Sequence, residues 1–290
     1  MKRLEVLKVL ALFSLVLLTT CTEENPVKPE EEFAPPRNLT YITDSTSVRL
    51  IWQHSTSRNL EDFLGYFVYV ATQSIASIDQ DSILRRYLVN RTPLRDTTCV
   101  VTNLQRGTRY YFHVRAVKGT DTTEYALSRA SNEVDTAPVL IGSGTLYEFS
   151  STLGNPSGFS FAENRAYSMV YTNASHIDIY LGTTQSDDSA GDLVLKSPDL
   201  VQSAHAEWDT RVSQIKSLGT GWENFNQTTD AGWSANRYEL VSLGRVYAIK
   251  TPDNHYVKLE ITNMSGSFPN RTVTFRYAYQ PITNYGHFKR

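Results

Sequence analysis

Residues 104–117 show the clearest alternation of hydrophobic and polar positions in this chain. After the turn residue Gly107, hydrophobic side chains recur at every second position. Because successive side chains of a β-strand point to opposite faces, this period predicts a strand with one buried face and one solvent face. The buried set is Tyr110, Phe112, Val114 and Ala116, and the solvent set is Arg109, His113 and Arg115.

Shorter segments with the same alternation occur throughout residues 36–138. Val48, Leu50 and Trp52 form one of them, and others cover residues 65–70, 99–104 and 131–134. Short alternating strands separated by turns predict an antiparallel β-sandwich. Residues 71–98 are longer than a turn and contain several isoleucines and leucines, so we expect a short helical or looped insert there.

Residues 145–290 form a second predicted domain, joined to the first by a short hinge at 139–144. Most of its hydrophobic segments are strand-like, including 238–250, 256–262 and 272–280. Between residues 200 and 218 the spacing changes to three or four, which predicts one amphipathic helix. The fold class is therefore mainly β, with an antiparallel sandwich followed by an antiparallel β-rich domain that carries this helix. The helix face comprises Val201, Ala204, Trp208, Val212 and Ile215.

The first predicted domain resembles a fibronectin type III domain, an immunoglobulin-like sandwich. Leu104, the turn at Gly107 and Tyr110 match the corner before strand F of that family, in which a tyrosine hydroxyl folds back onto upstream backbone. Trp52 stands where the family keeps its core tryptophan. The resemblance covers residues 36–138 and implies a spacer or a partner-binding module.

The end of the chain resembles HmuY-type haem-binding lipoproteins. The matching residues are 246–262, with Lys-Thr before a polar turn and Tyr-Val-Lys after it, and 273–280, which end in Tyr-Ala-Tyr-Gln. This resemblance implies a ligand-binding domain, with haem as a candidate ligand. The family's haem ligands do not align with particular residues here, so none is transferred.

The N-terminus has the pattern of a bacterial lipoprotein signal. Lys2 and Arg3 precede an uncharged stretch over residues 9–18 that is too short to span a bilayer. Leu18-Thr19-Thr20-Cys21 resembles a lipobox, although the residue before the cysteine is usually smaller than Thr20. We therefore expect a signal peptide over 1–20, acylation of Cys21 and a membrane anchor. Residues 21–35 are rich in glutamate and proline and predict an extended tether, which is either a plain spacer or a surface-export signal.

Composition and motifs argue against catalysis and nucleic-acid binding. A formal charge of −2 provides no field that would recruit nucleic acid. The sequence has no nucleophile elbow, phosphate loop or dinucleotide fingerprint, and no histidine or cysteine pair at metal-ligand spacing. We expect no enzyme activity, no catalytic residue and no metal site.

Candidate ligand-binding residues lie in the aromatic region 205–240. Trp222 and Trp233 occur in a loop rich in Gly, Asn and Thr, where exposed rings would stack on sugars. His205 and His255 are the histidines considered as haem ligands, although a histidine in such a position is more often a surface residue than a ligand.

Three hypotheses follow for a lipid-anchored protein that we expect at the outer membrane of the cell envelope, where surface display depends on whether the tether is an export signal or a plain spacer. The second domain binds a small ligand such as haem, or it binds carbohydrate through the tryptophan loop, or the chain is a structural subunit that binds another envelope protein.

Overall fold

The computed structural model describes residues 33–120 and 125–288. The predicted signal peptide, Cys21 and most of the tether lie outside these residues. Within them, no helix has the length and apolar character needed to cross a membrane.

The first sandwich consists of two antiparallel sheets. One sheet has the order β1-β2-β4, and the other has the order β3-β5-β6 with β7 also paired to β5. One short helix, α1 (Asp81–Leu84), lies between β3 and β4. The strands are β1 (Arg37–Thr43), β2 (Val48–Gln53), β3 (Phe63–Ala71), β4 (Thr98–Val101), β5 (Tyr110–Gly119), β6 (Tyr125–Leu127) and β7 (Val134–Thr136).

The core of this sandwich confirms the alternation predicted from the sequence. Trp52 packs edge-on against Tyr66 with ring centroids 5.7 Å apart, and both rings are buried. Phe112, Val114 and Ala116 of β5 are fully buried in the same cluster. The Tyr110 hydroxyl accepts a hydrogen bond from the backbone N–H of Gln105 at 3.0 Å, which is the predicted tyrosine corner.

The prediction that His113 and Arg115 face solvent is wrong. The insert between β3 and β4 covers that face of the sheet, and both side chains are buried beneath it. The Arg115 guanidinium donates to the Ile78 carbonyl at 2.7 Å, and so it ties the insert to β5. The alternation in β5 separated the two faces correctly, but it did not show that the second face is also covered. Arg109 remains exposed, as predicted.

The second sandwich also consists of two antiparallel sheets, with orders β10-β9-β11-β12-β14 and β13-β15-β16-β17-β8. The first strand begins at Leu140, so residues 139–144 include the start of a strand rather than a free hinge. The strands are β8 (Leu140–Tyr147), β9 (Gly158–Ser160), β10 (Arg165–Tyr167), β11 (Ile179–Thr183), β12 (Leu193–Lys196), β13 (Gln214–Thr220), β14 (Tyr238–Leu240), β15 (Arg245–Lys250), β16 (Tyr256–Ser265) and β17 (Thr272–Gln280).

A separate aromatic core lies between these two sheets. The Phe159 ring is 5.0 Å from Phe275 and 5.6 Å from Tyr277, in edge-to-face arrangements. The predicted strands near the C-terminus are confirmed, and the polar turn at 251–255 joins β15 and β16 in a hairpin.

The amphipathic helix predicted over 200–218 is wrong. The structure has single 3₁₀ turns at Pro198–Leu200 and Ala206–Trp208, and then β13 begins at Gln214. Backbone pairing of β13 with β15 decides the conformation of Ile215, whose side chain enters the sandwich core. Val201 and Trp208 belong to a different cluster, and Ala204 is exposed, so the apolar spacing does not mark one helical face.

The two sandwiches contact each other through the C-terminal segment. The Tyr285 hydroxyl donates to Asp135 of β7 at 2.6 Å, and the Tyr41 hydroxyl lies 3.3 Å from His287 Nδ1. Arg109 also approaches the Tyr285 ring at 5.1 Å. Independent folding of the two predicted domains stays a prediction.

Candidate functional site

An exposed pair of stacked rings lies at one end of the second sandwich. The rings of Tyr171 and His205 are 3.9 Å apart at an interplanar angle of 9°. Tyr171 is 45% exposed, which is unusual for a large aromatic residue, and His205 is also exposed. Planar aromatic faces open to solvent are the typical platform for stacking a ligand ring.

Two short turns position this pair. Tyr171 begins the 3₁₀ helix Tyr171–His176, and His205 immediately precedes the turn Ala206–Trp208. Trp208 and Ala174 are buried in one small hydrophobic cluster with Ile177 and Tyr180. The two turns are therefore held against each other by packing beneath the exposed rings.

Tyr171 forms part of the wall of a groove of about 470 Å³. The groove has the volume of a small-ligand site, for which roughly 300–1,000 Å³ is typical. Most of the other lining residues supply hydrogen-bonding groups, since hydroxyls, a carboxylate and a guanidinium are all present. These residues are Thr172, Ala174, Ser175, Glu207, Thr210 and Arg211.

Arg211 connects the groove to a buried carboxylate. Its guanidinium donates to the Ile177 carbonyl at 3.2 Å, lies 3.3 Å from Asp253 and lies 3.5 Å from Asp178. Asp178 also accepts a hydrogen bond from the Phe161 backbone N–H at 2.9 Å. Burial raises the pKa of Asp178 to about 7 despite these partners. Arg211 is thus held in place by protein acceptors and shapes the floor of the groove.

Trp222, which was predicted as an exposed loop residue, is buried. Only 2% of its surface is exposed, and its ring lies against two cations of the neighbouring strands. Lys258 Nζ is 3.9 Å from the ring centroid and the Arg276 guanidinium carbon is 4.6 Å from it. Lys258 also donates to the Trp222 carbonyl at 3.1 Å. This tryptophan seals one face of the sheet and is not available to stack on a sugar.

Trp233 is half-buried on the same side of that sheet. Its ring centroid is 4.3 Å from Lys216 Nζ and 6.3 Å from the Tyr256 ring. Lys216 also donates to the carbonyls of Thr229 and Ala231 and so holds the loop down. The tryptophan loop is therefore packed against its sheet, and Trp233 retains only part of its surface for a ligand.

His255 and His205 have different surroundings. His255 Nδ1 lies 3.2 Å from the Gln280 carbonyl oxygen, and its ring is 5.2 Å from the Tyr279 ring. The contacts of His205 are with Tyr171 and Glu207. The two histidines share no contacting residue, so their imidazoles do not face each other across one haem.

Tyr171 was missed as a candidate because its sequence context resembles the end of a strand. Pairing with His205 joins positions that are distant along the chain, and no local pattern marks it. Among the described residues, no group of three or more His, Cys, Asp or Glu side chains is arranged to hold a metal ion.

Comparison with known proteins identifies the first sandwich. Residues 34–129 match the family model of the fibronectin type III domain. No curated protein matches the chain.

Three similar solved structures each cover about a third of the chain. One is an Fn3-like protein from Clostridium thermocellum, with 21% identity, 36% of this chain and 92% of that chain covered, and a TM-score of 0.27. Another is described as a myokine structure, with 20% identity, 37% and 99% coverage and a TM-score of 0.27. The third fibronectin III domain of human KIAA0343 protein has 19% identity, 38% and 87% coverage and a TM-score of 0.26.

Proposed function

We propose that this chain is a non-enzymatic, lipid-anchored envelope protein whose second sandwich binds carbohydrate in the groove beside Tyr171. The single observation that carries the proposal is the exposed, parallel stack of Tyr171 and His205 at the edge of a polar groove. The fibronectin type III sandwich is the spacer that presents this groove away from the membrane.

The chemistry of the groove matches that of a sugar. The apolar C–H face of a pyranose ring stacks on an aromatic ring, while its hydroxyls need donors and acceptors around the rim. Tyr171 supplies the aromatic face, and Glu207 and Thr210 supply acceptors and a hydroxyl donor. The position differs from the tryptophan loop that the sequence suggested, although the ligand class is the same.

Calorimetric titration with a panel of neutral, amino and acidic oligosaccharides tests the proposal. Tyr171→Ala should weaken binding at least tenfold, whereas Tyr171→Phe should bind like the wild type because it keeps the ring. Trp233→Ala is the control variant, because it tests whether the sugar binds at the tryptophan loop and not at the Tyr171 groove. A panel without any binding sugar refutes carbohydrate recognition, and equal affinity of Tyr171→Ala and wild type refutes this groove. Recovery of a protein partner by cross-linking, without glycan binding, would favour the structural-subunit hypothesis.

Haem is the second candidate ligand, and the exposed imidazole of His205, which stacks on the Tyr171 ring, favours it. Hemin titration followed at the Soret band should show a red-shifted maximum at one equivalent if haem binds. His205→Ala should abolish the shift, and His255→Ala should leave it unchanged, because His255 contacts Gln280 and Tyr279 and does not face the same ligand. An unshifted Soret band for the wild type removes haem from consideration.

Membrane attachment and outer-membrane display are proposed from the lipobox-like residues that end at Cys21. Metabolic labelling with a radioactive fatty acid should mark the wild type and leave Cys21→Ser unlabelled. Protease accessibility on intact cells then tests surface display. Equal labelling of both proteins contradicts acylation at this residue.

A further inference from the structure

A second groove lies at one end of the fibronectin type III sandwich and has a basic lining. Its volume is about 470 Å³, and it is separate from the groove at Tyr171. The lining includes Arg37, His54 and Arg58, together with polar residues such as Asn59 and Thr97, and it contains no aspartate or glutamate from the residues that the structure describes. Because the whole chain has a formal charge of −2, this basic character is local.

The two arginines are held on ordered elements, and no carboxylate in the described part of the chain pairs with either. Arg37 opens β1 opposite Gln53, and Arg58 lies in the 3₁₀ turn Thr56–Asn59. The Ser55 side chain caps that turn by accepting from the Ser57 N–H at 3.0 Å. Among residues 33–120 and 125–288, neither guanidinium has an ion-pair or hydrogen-bond partner.

The other groups in the lining extend this recognition surface. The Trp52 indole is 3% exposed, forms part of the wall, and has no hydrogen-bond partner for Nε1 among the described residues. His54 Nδ1 is paired with the Tyr66 hydroxyl at 3.0 Å, which fixes the imidazole at the groove. Asn59 and Thr97 add amide and hydroxyl groups.

We propose that this groove binds the anionic groups of an acidic polysaccharide. A guanidinium presents planar, forked donors that match carboxylate and sulfate oxygens, and two such forks at one groove favour a ligand that carries repeated charges. The neighbouring amide and hydroxyl side chains fit the uncharged hydroxyls of the same polymer. The site lies in the first sandwich and does not depend on the function proposed for the Tyr171 groove.

Biolayer interferometry with the full chain tests this site against three polymers, namely a uronic-acid polymer, dextran sulfate and uncharged dextran. The wild type should bind at least one of the two acidic polymers and should not bind dextran. Arg37→Ser/Arg58→Ser should weaken that binding at least tenfold, and raising the salt concentration should weaken wild-type binding. Comparison of the two acidic polymers distinguishes carboxylate from sulfate.

Arg49→Ser/Arg91→Ser is the matched control, since these two arginines are exposed on the same sandwich and the change in net charge is the same. The control should keep wild-type affinity. An equal loss in both double variants refutes the site, because binding would then follow net charge alone. Binding to vesicles of anionic lipid, but to neither acidic polymer, refutes the polysaccharide assignment. Tyr171→Ala should leave this binding unchanged, so failure here and failure of the Tyr171 groove are distinguishable.

Discussion

His113 is a buried base whose charge state should make the fibronectin type III sandwich sensitive to acid. The imidazole is 0% exposed, and neither ring nitrogen has a hydrogen-bond partner among the described residues. Its closest ring neighbour is Tyr69, with centroids 4.9 Å apart. Burial lowers the pKa of His113 to about 3, and the positive charge of Arg115 acts in the same direction.

The sign of the effect follows from proton binding in the two states. An unfolded histidine has a pKa of about 6.5, so between about pH 6.5 and pH 3 the unfolded chain binds a proton that the folded chain excludes. The free energy of unfolding should therefore decrease as the pH falls through this window. The slope is about 1.4 kcal/mol per pH unit, which amounts to about 2 kcal/mol between pH 7 and pH 5.

Urea unfolding of the wild type and His113→Phe at pH 7, 6 and 5 measures this slope. The variant cannot take up the proton, so its stability relative to the wild type should rise by about 2 kcal/mol from pH 7 to pH 5. At pH 7 we expect the variant to be no less stable, because it leaves no hydrogen bond unmade.

His176→Phe is the control for this experiment, since it removes an exposed imidazole from the other sandwich. Parallel stability curves for the wild type and His113→Phe would refute the reasoning. So would an equal change of slope in the control.

Three further predictions concern the second sandwich. Asp178→Asn should gain stability relative to the wild type by about 1.4 kcal/mol for each pH unit between pH 4 and pH 7. The reason is that the pKa of Asp178 is about 7 in the folded protein, so the wild type loses a proton on unfolding in this range. Urea unfolding curves whose free energies stay parallel across this range contradict the prediction. Tyr285→Phe removes the hydroxyl that donates to Asp135, so it should lower the free energy of unfolding by about 1.5 kcal/mol, and a calorimetric midpoint equal to that of the wild type would contradict it. Trp222→Ala should lower the free energy of unfolding, measured in urea, by about 3–5 kcal/mol, because it leaves a cavity beside two cations. Unchanged stability together with a loss of glycan binding would show that Trp222 contacts a ligand instead.

The alternation of side chains predicted the strands because it is a local property of the backbone. In β5, Phe112, Val114 and Ala116 are buried in the core, and in β17, Val273, Phe275 and Tyr277 are, as the sequence indicated. The tyrosine corner at Tyr110 was implied by the resemblance to the fibronectin type III family, and the polar turn at 251–255 forms the hairpin between β15 and β16. The pattern of two-residue periods was therefore sufficient for the fold class.

Contacts between distant residues decided the features that the sequence did not predict. The segment 200–218 has a helical spacing of apolar residues, yet the pairing of β13 with β15 and the separate packing of Trp208 favour turns and a strand. Trp222 occurs in a polar loop, but the cations of β16 and β17 provide a buried surface for its ring.

Sequence alone thus determined the strands whose side chains alternate and which of their faces point to the core, because a two-residue period is set within each strand. The tertiary structure decided what covers each face, and so it buried His113 under the insert and left the stacked rings of Tyr171 and His205 exposed. These outcomes depend on which distant segments meet, and the free energy of such contacts is not encoded in the spacing of neighbouring residues.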